Sequence, residues 1–123
     1  MPKQSRSDAI RGYFAAFKSG DRAHFEQALA EDFTFTSPYD DGIDKATYFA
    51  RCWPNRDFIR EHVVERIFEQ GDEAFALYLC KTTDGKEFHN TEFFTFRGDR
   101  LKSVQVFFGA ASRNGRFTPQ QQS

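Results

Sequence analysis

A chain of 123 residues carrying 17 basic and 18 acidic side chains, a formal charge of -1, is one domain's worth of sequence, long enough to bury roughly two thirds of its unfolded surface. So even a balance excludes the broad electrostatic footprint of a nucleic-acid or anionic-lipid binder. No run approaches the ~20 apolar residues of a bilayer span, and the opening MPKQSRSDAI lacks the apolar stretch of a secretory signal; the expectation is a soluble, cytoplasmic protein without nucleic-acid or membrane partners.

Residues 1–7 and 112–123 are polar and are expected to be flexible, leaving 8–111 as a single domain with no linker, repeat or charge block inside it. Ser7-Asp8 offers a helix cap, and Ile10, Tyr13, Phe14 and Phe17 follow at helical spacing until Gly20. Asp21 caps a second, shorter helix through RAHFEQALA. DFTFTSP then alternates, with Phe33, Phe35 and Ser37 on one face, until Pro38 ends the strand. After a loop at YDDGI, Asp44 caps a third helix, KATYFARCW, which Pro54 closes.

From there the period changes. DFIREHVVERIFEQ, AFALYLCKT, EFHNTEFFTF and LKSVQVFFGA read as four long strands joined by turns at QGDE, DGK and RGDR. Helices first and an antiparallel meander afterwards is the α+β arrangement, in which the apolar stripes of the helices cover one face of the sheet.

Phenylalanine is the compositional anomaly, 16 of 123 residues. It points to a core or cavity walled by rings, suited to a small hydrophobic molecule. Cys52 and Cys80 form no CxxC pair and read as reduced, buried thiols. The three histidines have no ligand spacing and no glycine-rich loop joins a strand to a helix, so neither a metal nor a cofactor is expected.

One side chain looks misplaced. Alternation puts Asn90, Glu92, Phe94 and Phe96 on one strand face, and a carboxylate among rings is costly unless it is paired, hydrogen-bonded or protonated. Asn90 and Glu92 together would form a compact polar patch in an aromatic wall. His89 falls on the opposite face, His24 on a polar helix, and alternation does not fix the face of His62.

Three segments, YFAAFKSGD, ALAEDFTFTSP and TEFFTFRGDRLKSVQVFFG, resemble in sequence and order the nuclear transport factor 2-like superfamily, in its SnoaL-like and ketosteroid isomerase-like branch. The resemblance spans residues 8–109. It implies a cystatin-like, cone-shaped α+β barrel, three N-terminal helices packed on a curved antiparallel sheet, with a deep pocket open at one end. It further implies a homodimer formed through the outer face of the sheet.

In the ketosteroid isomerase pattern, a tyrosine seven residues before Gly-Asp and a neutral acid opening a late strand donate hydrogen bonds to the substrate oxyanion. Those positions match Tyr13 and Glu92. The base, an aspartate directly before proline, is replaced by Ser37, which has no basicity of its own at neutral pH. Asp40 and Asp41 lie just beyond it, and either could swing inward as the base or remain in a solvated turn. His62 is a further candidate acid–base group if it faces inward.

The parity carried over from the family places Phe33, Phe35, Leu77, Leu79, Phe94, Val104, Val106 and Phe108 inside, with Gln105 and Phe107 outward. Tyr39, Tyr48 and Trp53 would wall the mouth. The implied activity is acid–base chemistry of the isomerase, cyclase or dehydratase kind on a hydrophobic carbonyl compound. The alternatives are a non-catalytic binding module and a dimeric interaction domain.

Overall fold

Ser5 sets the start of the first helix: its side chain accepts from the Asp8 N–H at 3.0 Å, and the helix α1 (Arg6–Ser19) runs until Gly20 turns left-handed at φ 79. The cap therefore lies ahead of the Ser7-Asp8 pair. Ser7 donates instead from its backbone and hydroxyl to Glu69 Oε2, each at 2.7 Å, and Arg6 pairs with Asp72 at 2.6 Å. The computed structural model describes residues 5–113 and 115–117. Much of the two stretches expected to be flexible thus lies outside the described residues, while Ser5 to Ser7 take part in these bonds.

Asp21 caps α2 (Arg22–Gln27) by accepting from the His24 N–H at 3.1 Å. This helix ends earlier than its pattern suggests, because Leu29 already opens strand β1 (Leu29–Ser37). The stretch expected as a loop is a strand, β2 (Asp40–Asp44), folded back on β1 with Phe35 opposite Ile43 and Ser37 opposite Asp40. Gly42, at φ 59, supplies a backbone conformation that other residues rarely adopt, and Thr36 Oγ1 accepts from its N–H at 3.0 Å. Asp44 then caps α3 (Lys45–Arg51) through the Thr47 N–H at 2.8 Å. A 3-10 turn with Pro54 near its start, Trp53–Asp57, leads into the sheet.

The meander follows as expected: β3 (Ile59–Gln70), β4 (Glu73–Thr82), β5 (Glu87–Arg97) and β6 (Arg100–Phe108). Two short strands, β7 (Ser112–Arg113) and β8 (Arg116–Phe117), pair with each other, and β7 also pairs with β5. The main order is β2-β1-β6-β5-β4-β3. All main neighbours are antiparallel except β1 and β6, which are parallel.

Two features of register decide what the sheet presents inward. On β4 the buried residues are Ala74, Ala76, Tyr78 and Cys80, so Leu77 and Leu79 face away from the helices, contrary to the expected parity. The β4–β5 pairing imposes this, for Ala76 lies opposite Glu92 and Tyr78 opposite Asn90, and paired residues share a face. On β3, register shifts between Ile59 and Glu61 and between Val64 and Arg66 change which parity faces inward. Such bulges also bend the strand, helping the sheet to curl over the helices.

The core is a web of rings. Phe25 is fully buried and has ring centroids 4.7 Å from Tyr13, 5.7 Å from Tyr48 and 4.8 Å from Trp53. No helix among the described residues is long and apolar enough to cross a membrane. Truncating a buried ring of this kind costs about 3–5 kcal/mol, so Phe25→Ala is expected to lower the unfolding free energy by that amount in urea titration.

Candidate functional site

Between α1, α3 and the inner face of the sheet lies a chamber of about 160 Å³. Its polar patch comes from β5 and β4. Tyr78 donates from its hydroxyl to Glu92 Oε1 at 2.5 Å, while Asn90 Nδ2 donates to the same hydroxyl oxygen at 3.1 Å. This chain uses one oxygen of the carboxyl and one end of the amide. Glu92 Oε2 and Asn90 Oδ1 are left buried with no hydrogen-bond partner, although both residues are only 5% exposed. An unpaired buried oxygen costs about 1–3 kcal/mol.

Burial is the chief influence on the carboxyl. It raises the Glu92 pKa to about 7, against a smaller lowering by the Tyr78 hydrogen bond. Burial likewise raises Tyr13, Tyr48 and Tyr78 well above the usual phenol value, so all three remain neutral donors at neutral pH. Tyr13 lines the same chamber as Glu92, and after burial the neighbouring Tyr48 phenol is the next influence that raises its pKa. The partner that holds the acid is Tyr78, which the sequence reading passed over by turning Leu77 and Leu79 inward. Counting pairs outward from the turn at Asp84 would have found it.

Asp40 lines the chamber too, whereas Asp41 is exposed. Ser37 donates its hydroxyl to Asp40 Oδ2 at 2.9 Å. Arg51 places Nη2 2.9 Å from Asp40 Oδ1. This contact is an ion pair outside hydrogen-bonding geometry, which is why the buried Oδ1 also counts as unbonded. Ser37 thus orients a carboxylate three residues along the chain.

His62 faces inward opposite Cys80, packed against the rings of Phe14, Phe17 and Tyr78. Burial, with a smaller effect of the Lys18 charge, lowers its pKa to about 4, so it stays neutral at physiological pH. Cys52 and Cys80 are free, buried thiols, each pushed up to about 12 chiefly by burial. Among the described residues no cluster of His, Cys, Asp and Glu could hold a metal.

The lining includes Phe35, Ser37, Tyr39, Tyr48, Val106 and Phe108. Phe33 and Phe94 are buried in the core instead, and Trp53 packs against Phe17, Phe25 and Phe49. Leu77 and Leu79 lie on the other face, as the pairing with β5 requires.

Three helices over a curved sheet, with a polar patch set into an aromatic hollow, define a nuclear transport factor 2-like domain. Within that class the chain belongs to the SnoaL-like domain family, whose model matches residues 10–104. It is similar to IdmH of Streptomyces antibioticus, a candidate polyketide cyclase, at 19% identity and a TM-score of 0.76 over 85% of this chain and 92% of that one. A candidate ketosteroid isomerase of Kribbella flavida is 18% identical with a TM-score of 0.73, covering 93% of this chain and 81% of that one. An NTF2-like protein of unknown function from Cytophaga hutchinsonii is 20% identical with a TM-score of 0.71, covering 88% and 94%. At such identities the likeness is one of fold. No curated protein shows a significant match to the sequence.

The raised Glu92 pKa has a stability consequence with a definite sign. The folded state holds the proton more tightly than the unfolded chain, so this contribution is full below the ordinary value of 4.5 and is lost as pH rises through about 7. The difference is on the order of 3 kcal/mol. Glu92→Gln, which mimics the neutral acid, is expected to raise Tm at pH 8, with the gain shrinking on acidification and disappearing near pH 4.

Proposed function

We propose that the chamber is the active site of an acid–base enzyme acting on a hydrophobic carbonyl compound, with enolisation as the central step. The observation that carries this reading is the pair of buried, unpartnered oxygens on Glu92 and Asn90, in the same lining as the Asp40 carboxylate. The neutral Glu92 donates from Oε2 to the carbonyl oxygen of the substrate. Asp40 removes a proton from the adjacent carbon, the C–H electron pair becomes the C=C bond, and the oxygen takes the negative charge against the Glu92 donor. Return of the proton to another carbon gives isomerisation, while attack of the enolate carbon on a second carbonyl gives cyclisation.

Asn90 Oδ1 accepts from a substrate hydroxyl. Tyr13 and the neutral His62 shape the wall and transfer no proton in this scheme. The reaction needs no cofactor. A non-catalytic binding module is the second reading, favoured by the engagement of Asp40 with both Ser37 and Arg51.

The reaction can be tested without knowing the substrate. Exchange of the α-protons of cyclohexanone, a ketone small enough for the chamber, is followed by NMR in D2O. The protein is expected to accelerate exchange, Asp40→Asn and Glu92→Leu, which removes the donor, each to slow it by about 10²-fold or more, and the rate to fall as pH rises through about 7 and Glu92 loses its proton. Exchange no faster than in buffer alone, with the ketone still bound, favours the binding module.

The reading extends to a cytoplasmic homodimer. The free thiols of Cys52 and Cys80 suit a reducing compartment. On the outer face of the sheet, Phe68 is 70% exposed and Phe107 54% exposed, beside the Phe75–Phe93 ring pair at 4.7 Å, an apolar surface suited to a second copy. Phe75→Lys combined with Phe107→Lys is expected to halve the mass in sedimentation equilibrium; an unchanged mass places any dimer interface elsewhere.

A further inference from the structure

The chamber around Glu92 has a neighbour. A second hollow of about 500 Å³ is lined by Phe58, Thr83, Lys86 and Ala111 among others. It shares three aromatic side chains with the inner chamber: Tyr39, Phe88 and Phe108 line both. These rings come from the β1–β2 connection, the start of β5 and the end of β6, and they form a collar. Phe108 stands 5.6 Å from Tyr39 and 6.2 Å from Phe88 between ring centroids.

The two spaces differ in chemistry and in size. The inner one, at about 160 Å³, is close to the roughly 150 Å³ cavity that accommodates benzene, so a ligand confined to it has about six or seven non-hydrogen atoms. The outer one is in the range of ordinary small-molecule sites. Its charged groups are matched to each other, with Lys86 Nζ 3.9 Å from Asp84 Oδ2. Phe58 presents a ring that is 65% exposed. A hollow with internally matched charge and an uncovered ring suits an uncharged, apolar occupant.

We infer that the two hollows are the two ends of one site, and that its ligand is an elongated amphipath. An oxygen-bearing head, with a hydrogen-bond donor beside an acceptor, meets Asn90 Oδ1 and Glu92 Oε2 in the inner chamber. An uncharged apolar tail passes the collar of Tyr39, Phe88 and Phe108 and covers Phe58 in the outer hollow. The placement of the head rests on the reading of Glu92 given under Proposed function; that of the tail rests on the collar and the outer hollow alone.

The test is a series of 1-hydroxy-2-alkanones from four to ten carbons, with Kd measured by NMR titration of the full chain. Affinity is expected to rise about fourfold for each added CH2, continuing past the fifth carbon, where the seven non-hydrogen atoms of the ligand fill the inner chamber. Ala111→Trp, which places an indole in the outer hollow, is expected to stop the rise near five carbons while leaving the four-carbon compound's affinity unchanged. Thr83→Trp does the same from another wall and serves if the first variant does not fold. A parent protein whose affinity levels off or collapses beyond five carbons overturns the inference, as does an unaltered rise in a folded Trp variant. Glu92→Leu is expected to weaken every member by a common factor. If it has no effect while the chain-length gain persists, the head is misplaced and the acid–base reading falls, but the outer subsite stands.

Discussion

The hydrogen bond from Tyr78 to Glu92 is the interaction on which the rest of the site depends. A carboxyl enclosed by rings is stable only when neutral or well paired, and here a single phenol donor supports one oxygen and leaves the other free. Had an arginine taken that place, the acid would be an ordinary buried carboxylate with no proton to offer. Had a second donor closed on Oε2, the patch would be satisfied and inert. Partial satisfaction is what turns a structural liability into a group with something to donate.

The fold meets the cost of that arrangement around the site. Small residues on β4, Ala74 and Ala76, are buried on its inner face, leaving room between the large rings of α1 and β5. The aromatic web around Phe25, Tyr13 and Tyr48 supplies stabilising burial next to two unpaired oxygens. Asp40 owes its position to the β1–β2 hairpin, in which Ser37 lies opposite it. Ser37, directly before Pro38, is therefore a positioning partner of the Asp40 carboxylate. Proton donor and proton acceptor come from separate parts of the chain, one from the middle of a rigid strand and one from a hairpin at the sheet's edge.

How much of this was legible depended on whether a local rule governed the residue. The caps at Asp21 and Asp44 and the four long strands followed from capping chemistry and alternation, whereas the inward set on β6, Val104 and Val106, came with the parity carried over from the family. Glu92 and Asn90 were visible for the same reason, as polar side chains in phase with Phe94 and Phe96. β2 was not legible, because DDGID has no apolar alternation and owes its strand form to pairing with β1. On β4, apolar side chains occupy both faces, so nothing in the strand marks the inner one, and the parity carried over from the family turned Leu77 and Leu79 inward; the register to β5 turns Tyr78 inward instead. His62 lies between two bulges that reset the parity of β3, and no count along the strand could have fixed its face. The split of the cavity at the aromatic collar depends on how the strand ends converge, which periodicity does not encode.

The central claim is that Glu92 holds its proton near neutral pH inside the folded protein. Carbon-13 NMR of protein labelled at the glutamate carboxyl, with the Glu92 signal assigned by its loss in Glu92→Gln, measures this directly. A titration midpoint near pH 7, well above the ordinary 4.5, is expected. A midpoint at or below 4.5 would show a charged carboxylate in the chamber and contradict the account.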